Sequence, residues 1–283
     1  MLILLTGYSV MVTIVNPRLE CAQQVVQKNI IKAEKFLYDE GDSLQNVLTG
    51  SSLVGSFPMD SLPGFYNMSF AGKSGLDGLK IMLRKEKMPK RIYLEMNTVM
   101  QGEDEKFTSD ITFPVTYYSR KILPSLREYK HPIGILGGGI AGKIAPEDDP
   151  AKEKTASAKP ATTKKEEDGT SVFDMLLKQR ISDYTNLPDA EIINTRFTNL
   201  KAYVSELEGR GVEFVFFEMP VDTNLVNLPR ARITRERFYS LFPRNRYHYI
   251  DSPDCSTFST GDGVHLTEES LLRYVHYFKS HLK

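Results

Sequence analysis

The run Val212-Glu213-Phe214-Val215-Phe216-Phe217-Glu218-Met219 constrains the chain more than any other stretch. It is rich in β-branched and aromatic residues, and its near-continuous apolarity does not suit a strand with one wet face. Such a strand has to be covered on both sides, the condition of a central strand in a parallel sheet. The rest of the chain must then supply parallel neighbours and two layers of helices.

It contains the material for both. Ser43 to Leu48, Gly64 to Gly72, Lys90 to Asn97 and Tyr247 to Ile250 read as further strands, three of them running into Gly, Ser or Asn. Apolar residues at three- and four-residue steps predict helices over about 17–40, 76–88, 171–184 and 194–207. A closing helix carries Leu271, Leu272, Tyr274, Val275 and Phe278 on one stripe. This alternation predicts a three-layer α/β/α fold with a mainly parallel central sheet. From about 100 to 170 the pattern breaks. Thr112 to Leu126 is aromatic with prolines, Gly134 to Gly142 is glycine-rich, and 146–169 has almost no apolar residue, so it is expected to be disordered. The block reads as an insertion in a single domain spanning 17–283.

The first fifteen residues, Met1 to Val15, hold no charge, and Asn16-Pro17-Arg18 ends the run. A bilayer span needs about twenty residues. A basic start and a small-residue cleavage site are both missing, so a cleaved signal peptide fits poorly. Residues 1–16 are therefore expected to be a membrane anchor, with a buried first strand as the alternative. An anchor there places the remainder outside the cytoplasm.

Balanced charge narrows the partners. Thirty-six basic residues face thirty-six acidic ones, which leaves no overall field for nucleic acid. Cys21 and Cys255, with His131, His248, His276 and His281, show no metal-ligand spacing, and neither metal nor cofactor is expected. Gly137 to Lys143 imitates a phosphate loop, but Ile144 stands where Ser or Thr would bind magnesium. That stretch is read as a lid or membrane-touching loop. Arg230, Arg232, Arg235, Arg237, Arg244 and Arg246 form either a solvated helical face or a contact surface for an anionic polymer.

The chemistry gathers where strands end, because ligands of open α/β sheets bind outside the carboxyl ends. Gly50-Ser51-Ser52 offers a hydroxyl on a tight turn. Asp262-Gly263-Val264-His265 offers an acid and an imidazole three residues apart, before a helix that Thr267 can cap. Serine attack on an acyl carbon needs a hydroxyl, a base to take its proton and donors for the oxyanion. Ser52 is assigned as nucleophile, His265 as base and Asp262 as the acid that orients it. The backbone N–H groups of Ser52 and Gly72 and the side-chain amide of Asn97 are assigned to the oxyanion hole. Ser51 and Glu218 are assigned to substrate contact, with pairing to one of the arginines as the alternative for Glu218.

Serine, glycine and asparagine at three successive strand ends, then Asp-x-x-His before the last helix, resemble the SGNH (GDSL-type) hydrolase superfamily. Thr49-Gly50-Ser51-Ser52-Leu53 is similar to its first block, with Ser51 where many members have Asp. Asn67 to Gly72 is similar to the second and Glu95-Met96-Asn97 to the third. In the third, Glu95 and Thr98 replace a usual Gly and Asp. Asp262 to Leu266 is similar to the last. Gly-Ser-Ser behind an N-terminal apolar segment, with Phe216 to Pro220, is similar to the branch that O-acetylates bacterial polysaccharides. The resemblance implies a serine esterase or acetyltransferase acting on a cell-surface polymer, through an acyl-Ser52 intermediate. It also implies a bacterial, periplasmic or cell-surface location and a membrane-bound acyl-transfer partner. The alternative is a catalytically idle protein of the same fold, serving polysaccharide binding or export.

Overall fold

In the computed structural model, residues 7, 8, 10, 11, 14, 25–39, 44–130 and 171–282 are described. Their elements in chain order are α1 (Val25–Tyr38), β1 (Asn46–Thr49), α2 (Ser52–Gly55), β2 (Phe65–Asn67) and α3 (Gly75–Met82). Then come β3 (Arg91–Glu95), α4 (Glu105–Thr112), α5 (Pro114–Ile122), α6 (Val172–Thr185) and α7 (Ala190–Gly209). The series closes with β4 (Glu213–Phe217), α8 (Pro229–Leu241), β5 (His248–Ile250) and α9 (Glu268–Ser280).

The five strands form one sheet in the order β2-β1-β3-β4-β5, and every neighbouring pair is parallel. The apolar run at 212–219 lies inside it, as its composition requires. The register sets Leu48 beside Tyr93, Tyr93 beside Val215, and Phe217 beside Ile250 on one face. That face meets α9, whose Phe278 ring lies 5.1 Å from Phe217 and 5.6 Å from Tyr93. Phe216 points the other way, with ring centroids 5.3 Å from Phe238 of α8 and 4.8 Å from Phe242. Phe197 of α7 joins that layer, 5.9 Å from Phe238. Each of these rings is buried, and each burial stabilises the fold by about 1.5–3 kcal/mol. The three-layer α/β/α reading therefore holds.

Element ends differ from the sequence expectation. The helix expected over 76–88 stops at Met82, where Arg84 N and Lys85 N turn back to Ile81 O and Met82 O, three residues earlier. The Arg210 guanidinium meets the carbonyls beyond it, donating to Leu83 O at 2.9 Å and to Glu86 O at 3.2 Å, and also to Lys85 O. The strand expected over 64–72 shrinks to Phe65–Asn67. There Asn67 Oδ1 accepts from Ser69 N and its amide donates to Val54 O, both at 2.9 Å, which turns the chain.

The chain divides into two compact units, residues 41–104 with 156–283, and residues 1–40 with 105–155. The first holds the sheet. In the second, α1 packs with α4, α5 and the turns up to residue 130, so the expected insertion does not stand alone. It takes α1 with it, out of the domain to which the periodicity assigned it. The Tyr38 and Tyr117 rings are 5.7 Å apart, and Arg127 binds Asp39 at 2.8 Å. The glycine stretch 134–142, the tract 146–169, Cys21, His131 and most of residues 1–16 lie outside the described residues. No helix among the described residues is long and apolar enough to cross a membrane.

Candidate active site

The strand order reverses between β1 and β3, since β2 lies on one side of β1 and everything later lies on the other. That switch point leaves a crevice outside the carboxyl ends of β1 and β3, the usual ligand position in such sheets. Ser52 follows β1 and Asn97 follows β3.

Beyond β1 the chain turns at Gly50 and enters α2. Ser51 is its N-cap, with an extended backbone (φ −105°, ψ −161°) and a side chain that accepts from Leu53 N at 3.2 Å. Ser52 is thereby the first residue of the short helix. Its Oγ lies 2.8 Å from His265 Nε2, although 213 positions separate them.

His265 is held by a loop that is tied at several points. Thr260 and Leu266 form an antiparallel bridge, and Gly261 N donates to His265 O at 2.8 Å. Asp222 N donates to Gly263 O at 2.8 Å. Gly263 has φ +93°, a conformation side-chain-bearing residues rarely adopt, and a Cβ there would come 2.9 Å from Leu177. Thr267 caps α9 as the sequence suggests, accepting from Ser270 N. Asp262 Oδ1 accepts from the backbone N–H of Val264 at 3.1 Å and of His265 at 2.8 Å. Its Oδ2 lies 2.9 Å from His265 Nδ1. With the proton on Nδ1, Nε2 is left as the acceptor for the Ser52 hydroxyl. The three residues named from sequence thus form one continuous relay.

Arg180 of α6 completes it, donating to the same Asp262 Oδ2 at 2.9 Å. Burial alone would raise the Asp262 carboxyl. The hydrogen bonds from the His265 ring and backbone and from Arg180 outweigh it and hold the group well below the usual carboxylate range. Asp262 is an anion throughout neutral pH. Nothing in the α6 sequence singles out Arg180, since its partner lies 82 positions away and the helix has no other marker.

Phe70 N donates to Gly50 O at 3.1 Å, which lays the Ala71-Gly72 turn alongside the Gly50-Ser51-Ser52 turn. Gly72 has φ +73° and open space where a Cβ would stand. The backbone N–H groups of Ser52 and Gly72 make no hydrogen bond within the described residues. Asn97 is less free than its assignment supposes. Its Oδ1 accepts from Met219 N at 2.8 Å and its amide donates to Met219 O at 2.9 Å. One of the two amide hydrogens remains for an oxyanion.

The two substrate assignments fare differently from the relay. Ser51 is 3% exposed, and its hydroxyl is committed to Leu53 N and to Glu95 Oε2, 2.9 Å away. It serves the turn and does not face a ligand. Glu218 receives Arg235 through both carboxylate oxygens, at 2.8–3.0 Å, because α8 brings that guanidinium back over the end of β4. The arginine alternative is thus the geometry observed, and the pair is a fixed, neutralised unit. It forms part of the wall of an open cavity of about 480 Å³ whose polar lining includes Thr223, Asn227, Tyr239, Asp251 and Asp254. Of the six arginines, Arg232 also pairs with Glu236, Arg244 with Asp251 and Arg246 with Glu208, so charge pairing absorbs four of the six. Glu95, which the sequence marks only as a departure at a strand end, is fully buried beneath Ser51. No protein-family model matches this chain, and no curated protein matches it.

Proposed function

We propose that this protein is a serine esterase or acyltransferase that moves acetyl groups on a cell-surface polysaccharide. What carries the reading is the single relay from Ser52 Oγ to His265 Nε2 at 2.8 Å and from His265 Nδ1 to Asp262 Oδ2 at 2.9 Å. A hydroxyl, an imidazole and an ionised carboxylate in that order perform acyl transfer on unrelated folds.

In this mechanism His265 Nε2 takes the Ser52 proton as Oγ bonds to the acyl carbon. The carbonyl oxygen becomes an oxyanion that meets the free N–H groups of Ser52 and Gly72 and the remaining Asn97 hydrogen. Asp262 stays ionised and stabilises the imidazolium. The tetrahedral adduct collapses as the alcohol leaves with the proton from His265, and acyl-Ser52 remains. Water or a sugar hydroxyl then gives its proton to His265 and attacks, which restores the serine. Hydrolysis and transfer share these steps and differ only in the acceptor.

The polymer, the bacterial extracytoplasmic location, an anchor through the N-terminal segment and a membrane-bound acyl partner come with the SGNH resemblance and the uncharged Met1 to Val15 run. The test is p-nitrophenyl acetate turnover together with labelling by a serine-reactive phosphonate. Wild type is expected to turn over the ester and to take up one phosphonate on Ser52. Ser52→Ala should lose about 10³-fold or more in kcat. Equal rates for the two proteins would sink the serine mechanism. An inert, unlabelled wild type that still binds acetylated polysaccharide would favour the idle-scaffold alternative.

A further inference from the structure

The nucleophile turn rests on a group that the relay does not use. Glu95 ends β3 and is completely buried, on the sheet face that carries Tyr93 and Phe217. Its Oε2 accepts two hydrogen bonds from one residue, Ser51 N at 2.7 Å and Ser51 Oγ at 2.9 Å. Ser51 in turn caps α2 through Leu53 N, so Glu95, the cap and the first turn of the helix form one connected unit. The fit is close. A Cβ at Gly50 would lie 2.4 Å from Glu95 Oε2 and 2.7 Å from Glu95 Cβ, so only glycine lets the carboxyl approach this near. The aligned hydrogen bonds of Glu95 both go to Ser51, and the Thr98 side chain is the further group that favours its carboxylate.

We infer that Glu95 is the positioning residue of the nucleophile: through Ser51 it holds the Gly50-Ser51-Ser52 turn so that the Ser52 hydroxyl meets His265. This inference rests on the acyl-transfer reading and deepens it. Glu95 acts through Ser51 and touches neither substrate nor reacting atoms. Its part is to accept hydrogen bonds, and burial pushes its carboxyl upward, towards the neutral form.

Three variants of the full chain test this: Glu95→Ala, Glu95→Gln and Ser51→Ala, each compared with wild type for phosphonate labelling rate, kcat, KM and melting temperature. Glutamine offers Ser51 the same acceptor oxygen without charge. The expected result is that Glu95→Ala lowers labelling rate and kcat by about a hundredfold with KM little changed. Glu95→Gln should stay within a few-fold of wild type, and Ser51→Ala should fall between them. A purely structural role would lower melting temperature in both Glu95 variants without separating their labelling rates. The inference is overturned if Glu95→Ala labels at the wild-type rate, or if Glu95→Gln falls as far as Glu95→Ala. Should Glu95→Ala fail to fold, Glu95→Gln and Ser51→Ala decide: the first must label near wild type and the second must not. An unlabelled wild type would instead refute the acyl-transfer reading itself, so the two failures are distinguishable.

Discussion

Asp262 shows how much one side chain can be asked to do. Oδ1 shapes the loop by accepting two backbone N–H groups, and Oδ2 accepts from both His265 and Arg180. An amide in its place cannot accept at both ends and disfavours the tautomer that leaves Nε2 free. Asp262→Asn is therefore expected to lower kcat by up to about 10⁴-fold with KM nearly unchanged. A kcat within tenfold of wild type would show that His265 needs no orienting acid. The same residue has a stability signature. A carboxyl depressed in the folded state stabilises above its unfolded pKa of about 4, and that contribution is lost as pH falls. The melting-temperature gap between wild type and Asp262→Asn should accordingly narrow in acid.

Among the elements, α9 and α1 bury polar and apolar groups for different ends. Helix α9 presses Phe278 onto the sheet and is capped by Thr267, two residues after His265, so the packing of one helix steadies the loop that carries the imidazole. Helix α1, in the other unit, buries Glu34 completely. Arg120 lies 3.1 Å from Glu34 Oε1 but is not aligned to hydrogen-bond it, and Glu128 N donates to Oε2 at 2.7 Å. Burial pushes this carboxyl up to about 7, against the opposing pull of Arg120 and the Glu128 N–H. The sign follows from the raised value. Stability is fully present below the unfolded pKa of about 4.3 and declines as pH rises to about 7, by about 4 kcal/mol at most. Glu34→Gln should remove that decline, which thermal melts across this window would detect. Parallel pH profiles for variant and wild type would refute the assignment.

At the scale of the whole molecule, the sheet is covered on both faces by aromatic layers, and β1, β3 and β4 are paired on both edges. Amides of those three strands are expected to exchange with solvent most slowly. Those of β2 and β5, each paired on one edge only among the described residues, should exchange faster. Hydrogen exchange followed by mass spectrometry checks this, and uniform protection across all five strands would contradict it. Much of this architecture was legible beforehand, because a strand such as Val212 to Met219 has a composition that only one environment satisfies. Ser52, Asp262 and His265 were legible for a related reason. Chemistry restricts the residue types, and strand ends and a helix cap restrict the places. The division into two units was not, since the periodicity of α1 says that it has an apolar face but not which partner covers it. The amino-acid order therefore determined the strands, the helical stripes and which serine, acid and imidazole stand at strand ends and a helix cap, all of which depend on local pattern. Only the folded chain decided that Arg180 reaches Asp262, that Arg235 neutralises Glu218 and that Glu95 underlies Ser51. Those pairings join residues 17 to 82 positions apart, and their existence depends on the direction and depth at which separate elements pack.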